Sequence, residues 1–76
     1  MRVFVNASPV EVAPGTDVRG AIRALDPDLE ARAAAGEALV TDARGIGVTL
    51  DGALAAGAIL RVVVRARRAR DADADA

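Results

Sequence analysis

The residues best suited to chemistry lie near the C-terminal end of the chain, where arginines precede an acidic repeat. These arginines are Arg61, Arg65, Arg67, Arg68 and Arg70. Guanidinium groups bind phosphates through paired hydrogen bonds, which is one way to recognise nucleic acid. A net charge of -1 and the presence of a single Phe with no Trp or Tyr argue against that interpretation, because such binding needs excess positive charge and stacking side chains. We therefore predict no nucleic-acid partner.

Alternating aspartate and alanine follow the arginines, from Asp71 to Ala76. Such a segment can be a removable cap, an acidic docking peptide or a solvated low-complexity end. It could also fold back so that its aspartates meet the arginines between Arg65 and Arg70, of its own chain or of a neighbouring copy. Exposed ion pairs of this kind contribute about 0–1 kcal/mol each. We therefore keep a homo-oligomer, held together through this segment, as one alternative.

Side chains for catalysis or metal binding are scarce. The sequence has no Cys and no His, which removes thiolate metal sites, redox motifs and the imidazole base. The acidic groups that remain have structural explanations: Asp42 and Arg44 share a turn, and Asp26 and Asp28 stand at the start of a helix. We predict no enzyme activity, no cofactor and no metal site.

The length of 76 residues allows one domain with a small core. Hydrophobic residues make up 53% of the chain, but nearly half of them are alanine, so large core side chains are few. A domain of this kind has little stability to spare, and association would add to it. No apolar run reaches the roughly 20 residues that span a bilayer, and the start of the chain lacks the layout of a signal peptide. We expect a cytoplasmic protein with no membrane partner.

The first part of the chain predicts a hairpin. Residues 2–6 and 10–12 alternate as half-buried strands do, with Val3 and Val5 on one face and Phe4 on the other. Residues 6–9 are expected to form the turn between these strands. Pro14-Gly15 suits the two central positions of a type II turn.

Two helices are expected next. Thr16 or Asp17 caps the first helix, whose buried stripe is predicted as Val18, Ile22 and Leu25. Gly20 in this helix is expected to permit close packing on the sheet. A second, short helix begins at the Asp26 cap, with Pro27 in its first position, and ends at Gly36.

The remaining residues predict further strands. Residues 39–41 form a third strand, residues 42–45 a turn, and residues 46–48 a short strand in which Gly47 indicates a bulge or a close backbone approach. Residues 50–57 are an irregular connection. The last strand covers residues 59–65 and places Arg61 and Arg65 on one face. Because its middle is apolar on both faces, we expect it at the centre of the sheet.

This order of elements resembles the β-grasp fold of ubiquitin and of the small sulfur carriers of thiamin and molybdopterin synthesis. The resemblance rests on the opening strand, the Pro14-Gly15 turn before the helix, and the Leu54-x-x-Gly57 turn before the last strand. It implies an α+β fold with one β-grasp domain at residues 1–66 and a tail at residues 67–76. The expected mixed sheet has four to five strands, pairs its first and last strands in parallel at the centre, and carries one main helix and a second short one.

The resemblance also implies a role for the tail. In those families the tail ends in two glycines, whose carboxylate an adenylating enzyme activates; Arg68-Ala69 stands at that place here. Bacterial ubiquitin-like conjugation systems include modifiers that depart from diglycine, so we expect such a modifier, recognised by an activating enzyme and processed by a peptidase. The expected tail and processing residues are Arg67, Arg68, Ala69, Arg70 and Asp71. Two alternatives are a non-conjugating interaction or self-assembly module and a degenerate sulfur carrier.

A contact surface is the last feature that the resemblance implies. Ubiquitin meets its partners through an apolar patch on its sheet. Phe4, on the outer face of the first strand beside Val63 and flanked by Arg61 and Arg65, resembles that patch. We therefore predict these four residues as the partner-binding site.

Overall fold

The computed structural model describes residues 1–65, which form one mixed sheet with two helices against it. Along the chain the elements are β1 (Arg2–Val5), β2 (Ser8–Glu11), α1 (Val18–Leu25), α2 (Pro27–Ala34), β3 (Ala38–Asp42) and β4 (Ile59–Val64). The strands lie side by side in the order β2-β1-β4-β3; the central pair is parallel and both outer pairs are antiparallel. The described residues are therefore a small α+β domain, and the predicted central position of the last strand is confirmed.

The β1–β2 hairpin turns at Asn6 and Ala7, whose φ angles are 51° and 68°. Two successive positive φ angles give a tight turn whose twist matches that of the paired strands. The turn is thus shorter than predicted, and β2 already begins at Ser8. Pro9 lies inside β2. Proline has no backbone N–H to donate, and β2 tolerates it because β2 is an edge strand with no further strand on its outer side.

Asn6 continues the pairing with β4 after β1 has ended. Its backbone N–H donates to the carbonyl of Leu60 at 3.0 Å. Its side-chain amide donates to the carbonyl of Val62 at 3.2 Å and accepts from the N–H of Val62 at 2.9 Å. The side chain therefore takes the place of a further strand residue and satisfies both backbone polar groups of Val62.

Asp17 is the N-cap of α1, because its carboxylate accepts a hydrogen bond from the N–H of Gly20 at 2.9 Å. This decides between the two predicted caps. The hydroxyl of Thr16 instead donates to the carbonyl of Ala13 at 2.6 Å, within the turn before the helix. Gly15 in that turn has a φ of 89°, as a type II turn requires, so the predicted turn is confirmed.

The buried face of α1 differs from the predicted stripe. It consists of Val18, Ala21 and Ile22, whereas Leu25 is 37% exposed. Leu25 is the last residue of α1, and α2 begins two residues later at Pro27. The prediction that Leu25 belongs to the core was therefore wrong.

Gly20 also has a different role from the predicted one. A Cβ atom built on Gly20 would lie 2.6 Å from Cγ2 of Thr16, in the turn that precedes the helix. The close approach is thus between the helix and its own N-terminal turn. The predicted close packing of Gly20 on the sheet was wrong.

The start and end of α2 are confirmed. Asp26 is its N-cap and Pro27 its first residue, and Gly36 follows the C-cap with a φ of 80°. Within residues 1–65, Glu30 is the buried charged residue, 8% exposed. Its carboxylate pairs with Nε of Arg19 at 2.7 Å. This ion pair joins α2 to α1.

The core lies between the helices and one face of the sheet. Val3 and Val5 point into it, as predicted, and Leu60 and Val62 of β4 do the same. The other buried apolar residues are Val10, Val18, Ala21, Ile22, Ala38 and Val40. In the described part of the chain, no helix is long and apolar enough to cross a membrane.

Residues 46–48 do not form the predicted strand. They are attached to β3 by a single bridge between Thr41 and Gly47. A Cβ atom on Gly47 would meet nothing within 4 Å, so the predicted close backbone approach is absent there. Residues 50–57 are the predicted irregular connection between this segment and β4.

Candidate partner-binding face

Within residues 1–65, both helices pack on one face of the sheet, and no helix or strand covers the opposite face. On β4, Leu60 and Val62 are buried, whereas Ile59 and Val63 are 45% and 60% exposed. Because successive side chains of a strand point to opposite faces, Ile59, Arg61 and Val63 all point away from the helices. We call this surface the outer face. Its apolar and basic members on β1, β3 and β4 include Phe4, Leu39, Ile59, Arg61 and Val63.

Strand register groups the apolar residues of the outer face into two pairs. Phe4 of β1 lies beside Ile59 of β4, and Leu39 of β3 lies opposite Val63. Arg61 stands between the two pairs along β4. Val63 is four residues beyond Ile59, a distance of roughly 13 Å along an extended strand. Phe4 is therefore a neighbour of Ile59 and not, as predicted, of Val63.

Arg65 continues the outer face just beyond β4. Its backbone N–H donates to the carbonyl of Glu37 at 2.8 Å, which extends the β3–β4 pairing by one residue. The alternation of the strand then places Arg65 on the same side as Arg61 and Val63, and Arg65 is exposed. Ion pairs within residues 1–65 join Arg2 to Glu11, Arg19 to Glu30 and Arg44 to Asp42. The guanidinium groups of Arg61 and Arg65 have no carboxylate partner among these residues.

An open groove lies beside Phe4 on the outer face. It has a volume of about 420 Å³ and is lined by Phe4, Asn6, Ala7, Ile59, Leu60 and Arg61. Of these residues Arg61 alone is charged. An apolar lining with one cation fits an apolar segment that also carries a carboxylate.

A second groove, of about 440 Å³, is lined in part by Asp42, Arg44 and Leu54. Oδ1 of Asp42 accepts hydrogen bonds from the N–H of Arg44 at 2.8 Å and of Ile46 at 3.1 Å. The hydrogen bond from Ile46 is the largest cause that lowers the pKa of Asp42 below its usual value, with those from Arg44 adding to it. The carboxylate is thus engaged in shaping its turn, which confirms the predicted turn-forming role.

Three other predictions concern the tail, metal binding and the acidic residues at the start of α2. The tail and processing residues Arg67, Arg68, Ala69, Arg70 and Asp71 lie outside the described residues. Among residues 1–65, no group of three or more acidic side chains is placed to hold a metal ion. Asp26 caps α2 by accepting a hydrogen bond from the N–H of Asp28 at 3.0 Å.

Sequence reasoning missed two residues of the outer face, Leu39 and Ile59, each 45% exposed. The signal was present in the strand alternation. Leu39 stands between Ala38 and Val40, which are both buried, and Ile59 precedes the buried Leu60. Side chains of a strand alternate between its two faces, so once the inward residues are known, their sequence neighbours are the outward ones.

The fold and this face define the class of protein no further than a small α+β domain with a four-stranded mixed sheet and two helices. Comparisons of the chain with protein-family models, with curated proteins and with solved structures find no match in any of the three. The outer face and the sequence are therefore the features of the chain that bear on its function.

Proposed function

We propose that this chain is a β-grasp protein of the ubiquitin and sulfur-carrier class that acts as a non-enzymatic, cytoplasmic modifier in a bacterial conjugation-type system. The observation that carries the proposal is the strand order β2-β1-β4-β3 with a parallel central pair. With the helices packed on one face, this arrangement leaves the outer face open to partners. In the sequence, residues 66–76 follow β4, which is a central strand of the sheet.

The outer face supports the role of partner proteins in this proposal. Leu39 and Val63 form one exposed apolar pair, and Phe4 and Ile59 form a second beside an open groove. Arg61 stands between the pairs with no carboxylate partner in residues 1–65. Apolar side chains around an arginine are typical of the energetically important centre of a protein interface. An activating enzyme that binds this face would bury all of them.

The nearest alternative is an interaction or self-assembly module that is never conjugated. It has the same outer face, but its C-terminal carboxylate is not activated. Arg68-Ala69 in place of two glycines favours this alternative, because side chains with a Cβ atom clash in the narrow tunnel of an adenylating enzyme. The same substitution argues more strongly against a sulfur carrier, whose thiocarboxylate forms at that position.

Intact mass spectrometry of the protein expressed together with its genomic neighbours tests the proposal. We expect a chain that ends within residues 67–70, or a covalent adduct with another protein. The protein expressed alone is the control and should keep the mass of all 76 residues. A full-length mass in every combination of neighbours would overturn the modifier and leave the interaction module.

A further inference from the structure

We propose that the groove beside Phe4 binds the C-terminal residue of a partner polypeptide, with an apolar side chain in the groove and the terminal carboxylate at Arg61. Here we rely on the proposed function only in taking the outer face as a surface for partner proteins, and we add the chemistry of the partner. Activation or processing of this chain's own C-terminus is not required.

The charge of the groove favours an anionic ligand. Arg61 is the one charged residue of its lining, and none of the ion pairs within residues 1–65 uses its guanidinium group. A guanidinium group has five N–H donors and no acceptor, so a carboxylate is a well-matched partner for it. Among residues 1–65, no acidic side chain lines the groove to compete with such a ligand.

Other polar groups of the lining add hydrogen-bond donors. The carbonyl of Leu60 is already paired with the N–H of Asn6 at 3.0 Å. The side chain of Asn6 uses its oxygen and one N–H on Val62, and a carboxamide has a second N–H to donate. The N–H of Ala7 donates to no other group within residues 1–65. These spare donors favour, as Arg61 does, a ligand that accepts hydrogen bonds.

The apolar part of the groove is small. Phe4 and Ile59 lie side by side in register, and Ile59 is 45% exposed, so an apolar group placed here removes apolar surface from water. The volume of about 420 Å³ is near the lower end of the range of about 300–1,000 Å³ that is typical of pockets for small ligands. The groove therefore suits one or two residues of a polypeptide and not a long segment.

The spacing within the groove favours a terminal carboxylate over an acidic side chain. Ile59 and Arg61 are two residues apart on one side of β4, with roughly 6–7 Å between their Cα atoms. In a C-terminal residue the side chain and the carboxylate leave the same Cα atom, so one residue reaches both positions. An internal aspartate or glutamate needs a second residue for the apolar contact, and ordering two residues costs more conformational entropy than ordering one. Capture of a C-terminal carboxylate is a recurrent mode of peptide recognition.

Titration of the ¹⁵N-labelled full chain with short peptides tests the proposal by NMR. The probe is acetyl-glycyl-glycyl-leucine with a free carboxylate, which should shift the amide signals of Ala7, Ile59 and Arg61 in a saturable way and leave those of α2 in place. The same peptide as its C-terminal amide, and acetyl-triglycine with a free carboxylate, should each bind at least about tenfold more weakly. Equal binding of the acid and the amide, or no saturable shift with the acid at millimolar concentrations, would overturn the proposal.

Matched variants on the outer face locate the ligand. Arg61→Gln should remove the preference for the free acid, whereas Arg65→Gln, an exposed arginine outside the groove, should keep it. Ile59→Ser should weaken binding of the leucine peptide, whereas Val63→Ser, also exposed and outside the groove, should not. All four substitutions change exposed side chains, so we expect spectra of a folded chain for each. Equal effects of the two arginine substitutions would indicate general attraction to a basic face and would overturn the site.

Other occupants of the groove give different results. Isocaproate carries the apolar group and the carboxylate without a peptide, and acetyl-leucyl-glutamyl-glycine amide carries an internal carboxylate. We expect both to bind more weakly than the leucine peptide; equal or tighter binding of either would overturn a polypeptide C-terminus as the ligand.

Dilution of the free protein separates a partner from a second copy. We expect the signals of Ala7 and Ile59 to stay in place, and a shift with protein concentration would mean that a second copy occupies the groove, which would overturn the proposal. None of these titrations involves the genomic neighbours, so their failure leaves the mass experiment to decide the proposed function separately.

Discussion

Asn6 joins the β1–β2 hairpin to the last strand through its side chain. The carboxamide has one donor and one acceptor group, and both are used on the backbone of Val62. Its φ of 51° is a conformation that Asn tolerates better than most residues. The same residue therefore forms the turn and extends the central parallel pair of strands.

We expect Asn6→Ala to lower the free energy of unfolding by about 1–3 kcal/mol, because the N–H and C=O of Val62 lose their partner. Ala7→Gly is the matched control in the same turn. It removes the strain of a φ of 68° without touching β4, and should raise the free energy of unfolding by roughly 0.5–1 kcal/mol. Urea denaturation measures both. An Asn6→Ala variant as stable as the wild type would contradict the role of the side chain.

Asp42 makes the stability of the β3 turn depend on pH. Its pKa is lowered in the folded chain, first by the hydrogen bond from the N–H of Ile46, so the ionised carboxylate stabilises the fold. This contribution is fully present above the usual pKa of 3.8 and is lost as the pH falls through the lower folded-state pKa. We expect Asp42→Asn to lose less stability than the wild type between pH 7 and about pH 3.

Thermal unfolding across that pH range measures the difference. Asp51→Asn is the control, since Asp51 is an exposed aspartate outside the Asp42 turn. A stability profile of Asp42→Asn that is parallel to the wild-type profile would show that this carboxylate does not contribute to the acid sensitivity of the fold.

At the scale of elements, Ile22 is the largest fully buried side chain of α1. We expect Ile22→Ala to lower the free energy of unfolding by about 2–5 kcal/mol, because it leaves a cavity between the helix and the sheet. Leu25→Ala, in the same helix but 37% exposed, should cost about 1 kcal/mol or less. Urea denaturation of the two variants should therefore give unequal midpoints. Equal losses would contradict the orientation of α1.

The two edges of the described sheet are protected in different ways. Pro9 deprives β2 of one outward N–H group, and the bridge between Thr41 and Gly47 covers part of β3. Exposed strand edges invite pairing with other chains, so this protection disfavours association through the edges. The outer face is left as the larger open surface of the sheet.

At the scale of the whole molecule, we expect substitutions on the outer face to weaken partner binding without much change in the stability of the fold. Val63 is 60% exposed and opposite Leu39, so Val63→Ser should change the free energy of unfolding by no more than about 0.5 kcal/mol. We expect the same substitution to reduce the yield of processed or conjugated protein on expression with the genomic neighbours. Arg23→Gln is the control and should leave that yield unchanged. An unchanged yield with Val63→Ser would remove this pair from the partner-binding face.

Phe4 can contribute both to partner binding and to the stability of the fold, because its side chain is half-buried on the outer face beside Ile59. We expect Phe4→Ala to unfold cooperatively and to weaken partner binding in the same expression experiment. Loss of cooperative unfolding, measured by thermal denaturation, would instead place the ring in the core that supports the fold.

The sequence by itself determined the features that depend on neighbouring residues. The Pro14-Gly15 turn, the Asp26 cap and the inward side of β1 follow from backbone preferences and from strand alternation, which act over a few residues. The apolar character of residues 59–64 also indicated that β4 is central. The outward positions of Leu39 and Ile59 could have been predicted in the same way.

Only the tertiary structure decided which residues meet across the chain. Asn6 binds Val62 although 56 positions separate them, and Arg19 of one helix pairs with Glu30 of the next. Strand register likewise placed Phe4 beside Ile59 and moved Val63 to the other end of the outer face. Such contacts depend on how the helices and strands pack together, because register and helix orientation minimise the exposed apolar area of the whole domain and not of any one segment.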